Sequence, residues 1–184
     1  MMDPVRELKV RAEILQHAVQ AGEPAALERL RILAELRRAD ETALRAAAAE
    51  IQRKHCLAAV AREVGFAGWD HAKRVLEGDP SESDFGTLLY GSDWGTRLNH
   101  WFASYEEAKA FHRGGSQPGS RLYLLAYKRH FFVCDRHFLE ALGLNPDDAD
   151  WQAIDWDWAR PANGDARRRL YAKILAAQRA PKPA

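Results

Sequence analysis

The stretch Gly78-Asp79-Pro80-Ser81-Glu82-Ser83-Asp84-Phe85-Gly86 separates two parts of the chain that differ in sequence pattern. It concentrates glycine, proline and serine, which favour turns and interrupt helices and strands. Apolar residues recur at helical spacing before it, whereas short apolar and aromatic runs follow it. We therefore predict a helical domain over residues 1–78, a linker over 79–86, an α+β domain over 87–179 and a frayed tail over 180–184.

The part before this stretch predicts a bundle of short helices. Asp3-Pro4 is a helix-start signal, because Asp accepts hydrogen bonds from free amides and Pro has no N–H to lose at the first helical position. Gly22 is expected to end the first helix, Pro24 to begin the second and Asp40 to cap a third. The apolar residues that recur at helical spacing in the first two are Val5, Leu8, Ala12, Leu15, Val19, Leu27, Leu30, Leu33 and Leu36. Connections this short favour antiparallel neighbours.

The part after the stretch predicts a small, mostly antiparallel sheet with helices. The predicted strands are Thr87–Tyr90, Leu98–Ala103, Arg121–Tyr127 and Phe131–Cys134. Ser104 and Asp135 are the expected N-caps of two helices, and a last helix is expected over residues 164–178. The fold class predicted for the whole chain is α+β, an N-terminal helical bundle followed by this sheet.

Composition and charge argue against several classes of protein. The chain carries 27 Lys and Arg against 26 Asp and Glu, so it lacks the positive excess with which most proteins attract nucleic acid. We expect no secretory signal at the N-terminus, and no run approaches the roughly 20 apolar residues of a membrane span. The 2 cysteines are far apart and form no disulfide framework. We expect a cytoplasmic protein without membrane contact.

Residues Leu57–Lys73, LAAVAREVGFAGWDHAK, form a motif of their own. Gly65 is expected to end one helix, and Phe66 and Trp69 to fix the angle to the next. The pattern V-A-R-x-x-G-F-x-x-W resembles a short helical module that precedes ankyrin-repeat and glyoxalase-related domains in bacterial proteins. The resemblance covers this stretch alone. It implies a helical packing unit and a bacterial origin, and it transfers no catalytic residue.

The same region allows a second interpretation, a helix-turn-helix over residues 57–76 that binds DNA. Ala61 and Gly65 have the spacing that such motifs use between the first helix and the turn. His71, however, stands where the second helix should present an apolar residue, and the charges on that helix, such as Asp70 and Lys73, are mixed. A plain helical corner is the favoured interpretation.

His130, Cys134 and His137 have the spacing H-x3-C-x2-H and are candidate metal ligands. A thiolate and two imidazoles suit zinc, with His100 or Asp135 as a fourth ligand. Alternatively, Cys134 is a nucleophile activated by one of the histidines. Zinc modules usually combine two close ligand pairs and only one is visible, so a buried structural cysteine is the favoured interpretation. We expect no cofactor, with zinc as the alternative.

Tryptophan is concentrated after the predicted linker, and only Trp69 precedes it. If residues 150–158 formed a strand, Ile154, Trp156 and Trp158 would share one face and two aspartates the other. Core aromatics with an acidic edge are the favoured interpretation, and an aromatic-walled pocket is the alternative.

The loop Gly91–His100 carries the densest run of polar side chains that could take part in chemistry. It is not a P-loop, because no Lys-Ser/Thr pair follows at the required place. Turn formation explains such residues most simply, but a small-molecule site would be expected here. The candidate residues for binding a ligand or partner are Trp94, Arg97, His100, Trp101, Arg129, Trp156 and Trp158.

These observations leave three functions open. The favoured one is a non-catalytic binding or adaptor protein, whose helical half docks a protein partner or a second copy and whose aromatic half holds a ligand or partner. The first alternative is an enzyme of unassigned class that uses the Gly91–His100 loop with His130 or Cys134. The second is a nucleic-acid-associated regulator that acts through residues 57–76. An exposed apolar stripe on the first two helices would favour the adaptor.

Overall fold

The computed structural model describes residues 3–90, 99–116 and 120–178. Chain contacts divide it into two compact units, one formed by Val5–Arg74 and the other by the rest of the described chain. The first unit is helical, and the second combines helices with an antiparallel sheet. The predicted α+β class is therefore confirmed. The predicted tail at 180–184 lies outside the described residues.

The helices of the N-terminal part bury the face that the sequence predicts. They are α1 (Pro4–Gln20), α2 (Pro24–Arg29), α3 (Glu41–Ala48), α4 (Arg53–Glu63) and α5 (Trp69–Glu77). The five apolar residues of α1 that the sequence places on one face, Val5, Leu8, Ala12, Leu15 and Val19, are at most 5% exposed. Asp40 caps α3, because its Oδ1 accepts a hydrogen bond of 2.8 Å from Ala43 N.

The second predicted helix is shorter than expected. It ends at Arg29 and continues as two 3-10 turns, Leu30–Ile32 and Ala34–Leu36. Leucines spaced by three residues align on one side of a 3-10 helix, which has three residues per turn. Leu30 lies in the first of these turns, and Leu33, with an extended backbone, joins the two; both are buried, at 0% and 1% exposure, although the α-helix has already ended.

The predicted helix–corner–helix over residues 57–73 is present. Gly65 has φ +95°, a left-handed conformation that an L side chain rarely adopts, and it stands just beyond the end of α4. Phe66 is 3% exposed, and its N donates to Ala61 O at 2.9 Å. His71 Nδ1 accepts from Ala67 N at 3.0 Å, so this histidine helps to cap the start of α5.

The sheet of the second unit has three strands in the order β1-β3-β2, both pairs antiparallel. They are β1 (His100–Phe102), β2 (Tyr123–Tyr127) and β3 (His130–Cys134). The strand predicted at Thr87–Tyr90 is wrong, because these residues form a turn in which Tyr90 N donates to Thr87 O.

Residues of the predicted linker make fixed contacts within the second unit. Phe85 N donates to Lys128 O at 2.9 Å, and Lys128 N donates to Gly86 O at 2.7 Å. The end of the stretch is thus hydrogen-bonded to the β2–β3 turn, and we describe residues 79–86 with this unit.

Both faces of the sheet are covered. Helix α6 (Tyr105–Gly115), capped by Ser104 as predicted, packs Ala108 against Leu124 and Val133. On the other face Phe132 contacts Phe138 of α7 (Arg136–Ala141), with ring centroids 5.3 Å apart. Alternation of side chains along the strands explains how neighbouring residues reach opposite layers.

The strand considered for residues 150–158 does not form. Helix α8 (Ala149–Ala153) is followed by a turn with positive φ at Asp155 and Trp156. Beyond it, Leu124 N donates to Trp156 O and Trp158 N donates to Leu124 O, each at 2.9 Å. This short pairing covers the outer edge of β2.

The aromatic residues around α8 form a buried chain with the last helix, α9 (Gly164–Ala177). Ring contacts run from Tyr123 to Trp151, Trp158 and Tyr171, with centroids 4.6–5.5 Å apart. Trp151 and Trp158 are both 0% exposed. Core packing is therefore the role of these two tryptophans.

A buried carboxylate fixes the turn after α8 against α6. Asp157 is 1% exposed and accepts from the Tyr105 hydroxyl at 2.6 Å and from Arg160 N at 3.0 Å. Lys109 Nζ lies 3.0 Å from the same carboxylate. Burial, followed by this hydrogen bond to Asp157, raises the pKa of Tyr105, so its hydroxyl remains a donor at neutral pH.

We predict that Asp157→Asn lowers the free energy of unfolding by about 3 kcal/mol, because it leaves the Lys109 ammonium without its buried partner. The matched variant is Asp155→Asn. Asp155 pairs with the same lysine but is 63% exposed, so we expect a loss below about 0.5 kcal/mol. Urea unfolding at neutral pH measures both, and equal losses would show that burial of the carboxylate is not what matters.

Candidate functional site

The second unit contains a pocket of about 670 Å³. Four segments line it: the chain from the end of α5 to Phe85, the β2–β3 turn with the start of β3, the loop before α9, and the first turn of α9. Its lining includes Gly78, Phe85, Arg129, Phe131, Arg160 and Arg167. The pocket falls within the range of volumes that small-molecule sites have.

Arg167 is the buried charge of this pocket. It is 9% exposed, and its Nη1 donates to Trp158 O at 3.2 Å and Ala159 O at 3.4 Å. Among the described residues no carboxylate forms an ion pair with it. Gly78 allows its close approach, since a Cβ at this position would lie 2.8 Å from Arg167 Nη2. Gly78 also has φ +81°, which other residues rarely adopt.

Two further guanidinium groups lie at the pocket. Arg160 lies over the Tyr105 ring, 3.9 Å from its centroid, and its Nη1 is 3.1 Å from Glu106. Arg129 is exposed on the β2–β3 turn and forms no ion pair with a described residue.

The carboxylates of the lining serve the loop that carries them. Asp79 Oδ1 accepts from Ser81 N at 2.9 Å and from the Ser81 hydroxyl at 2.7 Å. Glu82 Oε1 accepts from Ser83 N at 3.1 Å and Asp84 N at 3.0 Å. These are local turn interactions of short polar loops.

Phe85 and Phe131 supply the aromatic part of the pocket lining. Their rings meet edge to face with centroids 6.2 Å apart. Both are partly buried, so one portion packs in the protein and another is accessible. The pocket thus combines guanidinium groups with an aromatic surface.

The predicted ligand-binding residues that the structure describes are not brought together in one place. Arg129 lines the pocket, whereas Trp94 and Arg97, with most of the Gly91–His100 loop, lie outside the described residues. Trp158 is buried in the core, and Trp156 lies under the Arg121 guanidinium at 3.9 Å.

The predicted residues of β1 contact opposite faces of the sheet. His100 contacts Phe111 of α6 at 4.4 Å between ring centroids. Trp101, which is 42% exposed, stacks on Phe132 at 4.8 Å and meets Tyr90 at 5.0 Å. These two candidates therefore do not face a common ligand.

The candidate metal ligands are also separated. His130 and Cys134 are the two ends of β3, about 13 Å apart along an extended strand. The His137 side chain is 73% exposed and contacts Glu140 at 3.2 Å. Within the described ranges, no group of three His, Cys, Asp or Glu is placed to hold a metal ion.

Cys134 has the surroundings of a structural thiol rather than a nucleophile. It is 3% exposed, and its Sγ contacts Tyr123 O at 3.7 Å. Burial, and secondarily the charge of Asp135, raises the pKa of this thiol well above its usual range. The thiolate that nucleophilic attack requires is therefore disfavoured.

Sequence reasoning missed most of the pocket. The sequence predicts a linker at Phe85 and a last helix at Arg167, and the residues that meet them in the pocket lie far away in the chain. The signal that could have indicated this site is the pairing of Gly78 with the turn-rich stretch after it, which marks a place where other groups approach the backbone closely.

His112 on α6 is a second residue that the sequence did not single out. It is 5% exposed, its Nε2 lies 3.1 Å from Leu122 O, and its Nδ1 has no hydrogen-bond partner in the described part of the chain. Burial, and then the nearby Lys109 charge, lowers its pKa.

Comparison of the chain with protein-family models, with curated proteins and with solved structures finds no match. No helix of the described ranges is long and apolar enough to cross a membrane.

We predict that both cysteines resist thiol reagents in the folded protein. Cys56 is 0% exposed, and burial raises its pKa also. Ellman's reagent should detect 2 reactive thiols per chain only after denaturation, each releasing one thionitrobenzoate as it forms a mixed disulfide. Cys56→Ser isolates Cys134 for the measurement, and rapid labelling of that variant in its native state would restore the nucleophile hypothesis.

We predict that His112 makes the fold less stable in mild acid. Its lowered pKa means that the unfolded state binds the proton more readily, so stability is present above the ordinary value of 6.5 and is lost as pH falls below it. Between about pH 7 and 5.5, this effect should lower the free energy of unfolding by up to about 1 kcal/mol.

His112→Gln should remove this part of the pH dependence, because the Gln amide can still donate to Leu122 O. His137→Gln, which removes an exposed histidine, is the control and should keep the wild-type dependence. Urea unfolding at several pH values gives the comparison. A wild-type dependence in the His112→Gln variant would contradict the assignment.

Proposed function

We propose that this protein is a non-catalytic binding protein whose second unit holds a small molecule in the pocket between Gly78, Phe85, Phe131 and Arg167. The observation that carries the proposal is the buried Arg167 guanidinium, which lines the pocket without a described carboxylate partner. Burying a charge in this way costs free energy unless other groups compensate it. Buried charged side chains of this kind are common in binding sites.

The lining suits binding and orientation more than a reaction. Its charged groups are guanidiniums, which stay protonated, and carboxylates engaged in loop hydrogen bonds, and its other polar side chains are the hydroxyls of Ser81 and Ser83. Neither histidine nor cysteine occurs among its described residues. Guanidiniums of fixed charge position a ligand, whereas acid–base catalysis needs groups that change protonation state.

The protein-docking part of the sequence hypothesis stays a prediction. The apolar face of α1 is buried. Among the described residues of the helical unit, Ile14 is the one large apolar side chain that is exposed, at 58%. The expectation of a bacterial, cytoplasmic protein also stays a prediction. So do the two alternative functions, an enzyme and a nucleic-acid-associated regulator, and no surface of the described residues favours either.

The test uses three probes of similar shape: phenyl phosphate, benzyl alcohol and benzylamine. At least one should bind the full chain in ligand-observed NMR and be recovered unchanged after prolonged incubation. Ser83→Trp should weaken that binding by about tenfold or more, because Ser83 is an exposed residue of the pocket lining and a large ring there fills the space.

Gln152→Trp adds the same side chain at an exposed position of α8 away from the pocket, and should bind like the wild type. Binding of none of the three probes would overturn the proposal. So would equal binding by the wild type and the Ser83→Trp variant, which would place any bound probe elsewhere.

A further inference from the structure

The charges of the pocket indicate which chemical class of ligand it takes. Three guanidiniums line it, those of Arg129, Arg160 and Arg167, against the two carboxylates of Asp79 and Glu82. Both carboxylates already accept hydrogen bonds from their own loop. Arg160 is likewise engaged, by Glu106, so Arg129 and Arg167 are the cations of the lining that have no carboxylate partner among the described residues.

Of these three cations, Arg167 should attract an anion most strongly, because it is the most deeply buried and water screens its charge least. Its two carbonyl contacts use Nη1 alone, and no described residue accepts from Nε or Nη2. Two carbonyl dipoles offset part of the cost of burying a full charge, whereas an ion pair would offset more.

The position of Arg167 in α9 adds to this imbalance. It lies in the first turn of the helix, where the helix dipole favours anions and disfavours cations. The carbonyl oxygen of Glu77, at the end of α5, accepts a hydrogen bond of 3.1 Å from Arg168, the residue after Arg167. An anion in the pocket would therefore stabilise Arg167 where the fold does not.

The aromatic side of the pocket sets a second requirement. Phe85 and Phe131 present ring surface next to the guanidiniums, and Pro80 and Pro161 extend this apolar lining. A bare inorganic ion would leave that surface in contact with water, whereas a flat apolar group would bury it.

Resting on the proposed function, we infer that the ligand is a small organic anion, a phosphate or carboxylate joined to a flat apolar body. Its anionic group pairs with Arg167 and Arg129, and its apolar body contacts Phe85 and Phe131. Guanidinium forks suit both kinds of anion because each offers two oxygens for paired hydrogen bonds.

The test titrates the full chain with phenyl phosphate, inorganic phosphate, benzyl alcohol and benzylamine and compares dissociation constants. Phenyl phosphate should bind most tightly. Arg167→Met should weaken its binding by about tenfold or more, as loss of a charged hydrogen bond does. Binding of benzyl alcohol should change little in the same variant.

Two further variants allow the test to be made even if the Arg167→Met variant does not fold. Arg129→Met removes an exposed cation of the pocket and should raise the dissociation constant for phenyl phosphate about threefold. Arg121→Met removes a cation that lies over Trp156 away from the pocket, and should have no effect.

The outcomes separate this inference from the proposed function. Benzyl alcohol or benzylamine binding as tightly as phenyl phosphate would overturn the anionic class while the binding function stands. Inorganic phosphate binding as tightly as phenyl phosphate would overturn the apolar requirement. An Arg129→Met variant with wild-type affinity would overturn the assigned contacts, and binding of no probe would overturn both proposals.

Discussion

The buried carboxylate of Asp157 is the interaction on which much of the second unit depends. It joins the turn after α8 to α6 through Tyr105 and Lys109, while the backbone on either side of it pairs with Leu124 of β2. One residue thus connects a turn, a helix and the sheet. Because Asp157 also accepts from Arg160 N, the loop that forms one wall of the pocket begins at this point.

The helices and strands could be predicted well from the sequence, since local signals determine them. The Asp40, Ser104 and Asp135 caps and the helical corner at Gly65 are all present. The errors arose where a local pattern had two solutions. Leucines spaced by three residues fit a 3-10 turn as well as an α-helix, and the alternation of residues 150–158 became a short helix and a turn with positive φ.

The pocket could not be predicted in the same way, because it consists of side chains from segments far apart in sequence. Arg129 was selected for its chemical type, and only the fold shows that it lies at the same pocket as Phe85 and Arg167. Histidine and cysteine are site candidates by residue type, because they can bind metals and act as bases or nucleophiles. The structure instead buries Cys134 and exposes His137, which shows that residue type alone does not place a side chain in a site.

The close approach of Arg167 to Gly78 has a consequence for how this protein can vary in evolution. Any side chain at position 78 meets two obstacles at once, a backbone conformation that suits glycine and a guanidinium in the space of a Cβ. A shorter residue at 167 would remove the second obstacle but not the first. Glycine is therefore required at position 78 by its backbone conformation, whichever residue stands at 167.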